Sequence, residues 1–192
     1  MLSVGVDEAG RGCIFGPVYA AAVIWNDEID HKLLKDSKKL TNIQRRIMYD
    51  FIIDNAIDYS YATSSESEID KYNILQATQR AMHKALDALY LDFDHINVDG
   101  NYFNYYYSHN SQDFKPHSCL IKGDSIMKSI SAASIIAKVE HDKWILEHSS
   151  IYPEYKLNKN MGYCTKDHIE AVKTFGRTIC HRYTFKLPFE KI

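Results

Sequence analysis

The chain of 192 residues contains no apolar run near the ~18 residues of a membrane span, so no membrane association is expected. Its four cysteines, at 13, 119, 164 and 180, form no CxxC pair. Neither a zinc ribbon nor a disulfide framework is indicated, and free thiols in a reducing compartment are expected. Met1-Leu2-Ser3 leads straight into a predicted strand rather than a basic, cleavable signal, which predicts a cytoplasmic location. No internal repeat, linker or low-complexity stretch interrupts the sequence, and one domain over residues 1–192 is expected. Hydrophobic residues at 45% and charged residues at 25% argue against disorder.

Charge of one sign is not in excess either. The net charge of −2 offers no general attraction to a polyanion. It is unevenly placed, however. From Tyr155 to Ile192 there are eight Lys or Arg against three acids, a net +5 that leaves residues 1–154 at −7. An acidic site that loads divalent cations beside a basic flank that holds a polyanion fits this asymmetry, and a solvated basic tail is the alternative.

What is present is concentrated in Val4-Gly5-Val6-Asp7-Glu8-Ala9-Gly10-Arg11-Gly12. A short apolar run ends in two adjacent carboxylates and a glycine-arginine-glycine loop. Neighbouring strand residues point to opposite faces, so Asp7 and Glu8 are expected to share one cluster only where the pleat breaks. Gly10 and Gly12 are expected to supply that break through positive φ angles, while Arg11 brings a cationic fork suited to phosphate. An acidic pair in an exposed turn is the alternative.

Val18 to Trp25 reads as a second strand, with Ala20, Ala21 and Ala22 implying close packing against a helix. Thr41 and Gln44 form a T-x-x-Q capping box that opens a helix to about Asn55. Ile57 to Thr63 fits a strand. Ser67 to Tyr90 fits a helix with Ile69, Ile74, Leu75, Thr78, Met82, Leu86 and Leu89 as its core stripe. His95 to Val98 and Ser118 to Ile121 read as short strands, with a tyrosine-rich loop at 102–107 between them. A helix follows from about Met127 to Glu147, and a last one is capped by Thr165 and ended by Gly176. This order predicts an α/β sheet with helices on its faces.

The acids at 7/8, 99 and 124 fall at strand ends or just before a helix, where one edge of a sheet can gather them. Four converging carboxylates repel one another, and hard divalent cations such as Mg²⁺ or Mn²⁺ remove the repulsion. Two such ions about 3.5–4 Å apart suit in-line phosphoryl displacement.

Several blocks resemble the type 2 ribonucleases H. They are Asp7-Glu8-Ala9-Gly10-Arg11-Gly12, Gly16-Pro17, Asp36-Ser37-Lys38-Lys39-Leu40 and Tyr72-Asn73-Ile74-Leu75-Gln76-Ala77-Thr78, followed by Val98-Asp99-Gly100, Lys122-Gly123-Asp124, the stretch from Ser131 to Val139, Asp142 and Gly162-Tyr163. The blocks run in order from residue 4 to about 185. The resemblance implies a ribonuclease H-like fold with a mixed central sheet flanked by helices. It also implies cleavage of the RNA strand of RNA/DNA hybrids, and incision 5′ of single ribonucleotides embedded in duplex DNA, leaving 3′-hydroxyl and 5′-phosphate ends.

Carried over by position, Asp7, Glu8, Asp99 and Asp124 are the implied catalytic and metal-binding carboxylates for two Mg²⁺ or Mn²⁺ ions. Gly10, Arg11 and Gly12 are implied at the ribose 2′-hydroxyl, which separates RNA from DNA. Tyr163 is implied against the neighbouring sugar, though it could instead merely cover the last helix. Ser37, Lys38 and Lys39 are implied on the nucleic acid backbone, where contacts position rather than specify. A monomer is expected. His181-Arg182 resembles a basic spot near the substrate path, while for His168 and His181 a core or surface position is the simpler reading. Met161 stands where many relatives carry lysine, which implies a weaker phosphate grip. A metal-dependent recombinase or junction nuclease of the same fold is the alternative. A dinucleotide loop is disfavoured because Pro17 and Val18 to Trp25 continue as strand rather than opening a helix.

Overall fold

The computed structural model describes residues 2–29, 34 and 40–190. Its sheet is formed by β1 (Ser3–Ala9), β2 (Val18–Ile24), β3 (Asp58–Ser64), β4 (His95–Asp99) and β7 (His117–Leu120), in the order β3-β2-β1-β4-β7. β1, β2 and β3 pair antiparallel, whereas β1–β4 and β4–β7 pair parallel, so the sheet is mixed as expected. Among the described residues no helix is long and apolar enough to cross a membrane, and no disulfide joins the four cysteines.

Period-two alternation along β1 assigns its faces. Val4 and Val6, with Ala20, Ala22, Ile96 and Val98, pack against α2 (Glu66–Asp87). Ala9, with Ala21 and Val23, packs against α1 (Asn42–Asn55) and α3 (Lys128–Ser149). The alanines of β2 therefore serve both faces. Gly5 allows the closest approach: a Cβ there would lie 2.3 Å from the Ser129 carbonyl carbon and 2.4 Å from the Ile130 nitrogen. The main chain of α3 thus rests directly on the strand that carries Asp7.

α1 begins at the Thr41–Gln44 capping box, as its sequence predicts. α2 starts one residue earlier than expected, on a second capping box between Ser65 and Glu68. It is also not one straight helix. Asn73 takes φ 66° and ψ 164°, and its Oδ1 accepts the Gln76 N–H at 3.1 Å, so it caps a second helical piece. That break overturns one core residue of the expected stripe: Leu75 is 38% exposed, whereas Ile69, Thr78, Met82, Leu86 and Leu89 are buried.

The tyrosine-rich segment is likewise not a plain loop. Tyr106–Ser108 (β5) pairs antiparallel with Asp113–Lys115 (β6), and the Tyr106 ring is buried. A third apolar cluster joins Ile14 and Phe15 to Ile145, Tyr155, Leu157, Ala171, Val172 and Leu187. It ties the short α4 (Leu157–Asn160) and α5 (Lys166–Phe175, capped by Thr165 and Gly176) to the segment just after the glycine loop.

Candidate active site

β1 and β4 run parallel with Val6 opposite Val98, so Asp7 and Asp99 follow side by side at the same end of the sheet. Asp99 is paired in turn with Leu120 of β7. Its Oδ1 accepts the Gly123 N–H at 2.7 Å, which fixes the turn Gly123–Ser125 and with it the buried Asp124. Hence the sheet end brings Asp7, Glu8 and Asp99 together and holds Asp124 in the adjoining turn.

The means differ from the expectation. Asp7 and Glu8 lie in regular strand, paired with Ala21 and Ala20, and the pleat does not break between them. Asp7 faces α3 and Glu8 the opposite side, toward α2 and Arg11. The Glu8 N–H donates to Asp7 Oδ1 at 2.7 Å, and Arg11 Nη1 donates to Glu8 Oε1 at 3.0 Å. Gly10 has φ 85°, but Gly12 does not share a positive φ; Gly16 does, at 89°.

Asp7 has its carboxyl pushed well above the ordinary carboxylate range, first by burial and then by the charges of Glu8 and Asp99. The Ser134 hydroxyl and the Glu8 N–H pull the other way without winning. Among the described residues no three His, Cys, Asp or Glu side chains stand as a ready-made metal cage. The donor set nonetheless fits hard cations. It is all oxygen, and bound positive charge relieves the repulsion that Glu8 and Asp99 impose on Asp7.

Beside the acids lies a depression of about 400 Å³ bordered by Glu8, Gly10, Gly12, Ser134, Lys138 and Tyr163. Tyr163 is 41% exposed, and its Cε1 would lie 3.6 Å from a Cβ on Gly12. The Lys138 ammonium stands 5.6 Å from the centre of the same ring. Tyr163 reaches this wall because Cys13 and Tyr163 form an antiparallel bridge and the Ile14 N–H donates to Gly162 O at 2.9 Å. Ser37, Lys38 and Lys39 lie outside the described residues.

Arg182, expected in a basic spot near the substrate path, is not open to solvent. It is fully buried, with Nε donating to Gly16 O at 2.8 Å and Nη1 to Arg11 O at 3.0 Å, so it clamps both ends of the glycine loop from within. His168 and His181 are also core residues, with Nε2 atoms 3.2 Å apart. Thr178 N–H donates to His181 Nδ1, so His181 Nε2–H donates to His168, whose Nδ1–H donates to the Tyr163 carbonyl at 3.0 Å. Ser134 and Lys138 were not singled out by role from sequence, and their spacing of four on α3 is the one local signal for them.

This architecture is that of a ribonuclease H-like nuclease. The ribonuclease HII family signature matches residues 4–188. The ribonuclease HII of Christiangramia forsetii is 47% identical over 183 residues, covering 95% of this chain and 89% of the relative. That of Bacteroides thetaiotaomicron is 44% identical, covering 97% of this chain and 90% of the relative. The crystal structure of the ribonuclease H2 from Pyrococcus horikoshii matches with a TM-score of 0.77 at 27% identity, over 97% of this chain and 94% of that one. The chain belongs to the ribonuclease HII family, and it is a ribonuclease H endonuclease, a hydrolase acting on the RNA of RNA/DNA hybrids.

Proposed function

We propose that this enzyme also incises duplex DNA on the 5′ side of single embedded ribonucleotides, by phosphodiester hydrolysis leaving 3′-hydroxyl and 5′-phosphate ends. The observation that carries the reading is the adjacency of the acidic sheet end to the depression between the glycine loop and Tyr163, with Glu8 bordering that depression. Asp7, Glu8, Asp99 and Asp124 would hold two Mg²⁺ or Mn²⁺ ions. When bound, such a pair supplies an activated water and stabilisation of the leaving oxygen.

The chain's own residues do the rest. Gly12 leaves exposed loop backbone bare for a ribose 2′-hydroxyl, the one group by which RNA differs from DNA at a given sugar, while the positive φ of Gly10 turns the loop. Arg11 and Lys138 offer positive charge to the flanking phosphates. The exposed face of Tyr163 packs on the next sugar, so that one ribose followed by deoxyribose is read as a junction.

The test is cleavage, in Mg²⁺ or Mn²⁺, of a labelled DNA duplex with one ribonucleotide beside an all-DNA duplex of the same sequence. Cutting of the first alone is expected. Equal cutting of both, or of neither, refutes ribose reading.

A further inference from the structure

A buried column beneath the glycine loop takes no part in the chemistry above. His141, on α3, has no solvent exposure. Its Nδ1 lies 3.0 Å from Asp142 Oδ1 and its Nε2 3.5 Å from Cys13 Sγ. Cys13 is itself fully buried, and its sulfur also lies 3.4 Å from the Met161 carbonyl oxygen. Lys138 Nζ donates to the same Asp142 oxygen at 2.8 Å.

Proton positions follow from chemistry. Burial opposes ionisation of Asp142, yet the hydrogen bonds from His141 and Lys138 outweigh it and hold the carboxyl below its usual range. An ionised carboxylate only accepts, so His141 carries its proton on Nδ1 and presents a bare lone pair at Nε2. The one Cys13 S–H lies between two acceptors, this lone pair at 3.5 Å and the Met161 carbonyl oxygen at 3.4 Å. The three side chains are ordered like a cysteine nucleophile set, but a thiol pushed up to about 11 by burial is protonated and inert. The imidazole, which burial keeps easier to deprotonate than usual, is neutral.

The column touches both walls of the depression. A Cβ on Gly10 would lie 2.5 Å from His141 Cδ2, so the loop sits directly on the imidazole. Cys13 is bridged to Tyr163, and Lys138, which steadies Asp142, also faces the Tyr163 ring. The His141 ring also packs edge to face with the Tyr19 ring, with centroids 6.0 Å apart at 88°.

We propose that Asp142, His141 and Cys13 form a positioning column that sets the spacing between the glycine loop and the Tyr163 ring, making Cys13 and His141 determinants of ribose recognition although neither touches substrate. The proposal rests on the reading that the depression takes the sugar of a ribonucleotide. A single ribonucleotide offers one 2′-hydroxyl, so spacing matters more there than on a hybrid offering many.

The test compares wild type, Cys13→Ala and Cys13→Ser on a one-ribonucleotide duplex, a long RNA/DNA hybrid and an all-DNA control. Alanine removes the donor; serine keeps one. Expected for alanine is a KM on the one-ribonucleotide duplex raised about tenfold, kcat within about twofold, and a smaller change on the hybrid, with serine recovering most of the loss. An alanine variant with unchanged KM, or a serine variant as impaired as alanine, overturns the column while leaving the parent reading intact. Wild type cutting the all-DNA control equally overturns both. Independently of activity, ¹⁵N NMR of His141 at neutral pH is expected to show protonated Nδ1 and bare Nε2, and the opposite tautomer overturns the column.

Discussion

Replacing Arg182 with methionine keeps most of the buried volume but removes the clamp on the glycine loop. Two hydrogen bonds from a charged donor to the carbonyls of Gly16 and Arg11 are lost, each worth roughly 1.5–3 kcal/mol. Against this, a fully buried guanidinium is costly to desolvate. Its pKa is lowered to about 10 by burial, and its Nη2 has no hydrogen-bond partner among the described residues. Removing the charge therefore recovers part of the loss, leaving a net destabilisation of roughly 2–4 kcal/mol. For a chain of this size that corresponds to a melting temperature lower by roughly 5–15 °C. The assay is a thermal melt, paired with kcat/KM on an RNA/DNA hybrid well below the melt. Freed Arg11 and Gly16 carbonyls let the loop move, and a misplacement of about 1 Å costs on the order of 10²-fold in rate. A variant melting within about 1 °C of wild type and turning over at the same rate refutes the clamp.

Asp7→Asn is expected to lower turnover by roughly 100-fold or more without unfolding the chain. Because the folded carboxyl is raised, its ionisation costs stability that is lost as pH rises from ~4 through the folded value. In chelator, the asparagine variant should melt at or above wild type at pH 8, and the difference should close toward pH 4; a variant that melts lower at pH 8 contradicts this. Gly5→Ala sets a methyl against main-chain atoms of α3 at 2.3 and 2.4 Å and should cost at least ~2 kcal/mol, measured by denaturant unfolding. His181 is held neutral, with its pKa lowered to about 3 chiefly by burial and then by His168 and Arg177. The unfolded chain binds its proton below ~6.5, so stability should be full above that pH and decline as pH falls toward 3; a flat acid limb in wild type would count against it. Tyr163→Ala should lose more activity on a one-ribonucleotide duplex than on a long hybrid, and an equal loss removes the junction role.

Features set by a few neighbouring residues were readable in the sequence. The Thr41–Gln44 box, the Thr165 cap and the Gly176 stop are local, and each falls where it was expected. The positions of Asp99 at a strand end and of Asp124 just before a helix were readable, because strand ends and helix starts have sequence signatures. What failed depended on distant contacts or on an unusual backbone. Asn73 interrupts a stripe whose apolar spacing continues across it, so periodicity alone reads Leu75 as core. Asp7 and Glu8 need no pleat break, because the parallel β4 neighbour supplies Asp99 from beside the strand. Arg182 reads as part of a basic spot near the substrate path, and its buried bond to the Arg11 carbonyl, 171 residues away in sequence, has no local sign. The Cys13–His141 contact spans 128 residues and has no local sign at all.

On the function proposed above, the acidic sheet end gathers paired divalent ions beside the glycine loop. Anomalous diffraction from a Mn²⁺-soaked crystal of the wild-type enzyme with a bound one-ribonucleotide duplex tests it most directly. Two manganese peaks about 3.5–4 Å apart, ligated by Asp7, Glu8, Asp99 and Asp124 next to the ribose, are the predicted result. No peak at that sheet end, or ions held by other residues, would contradict the account.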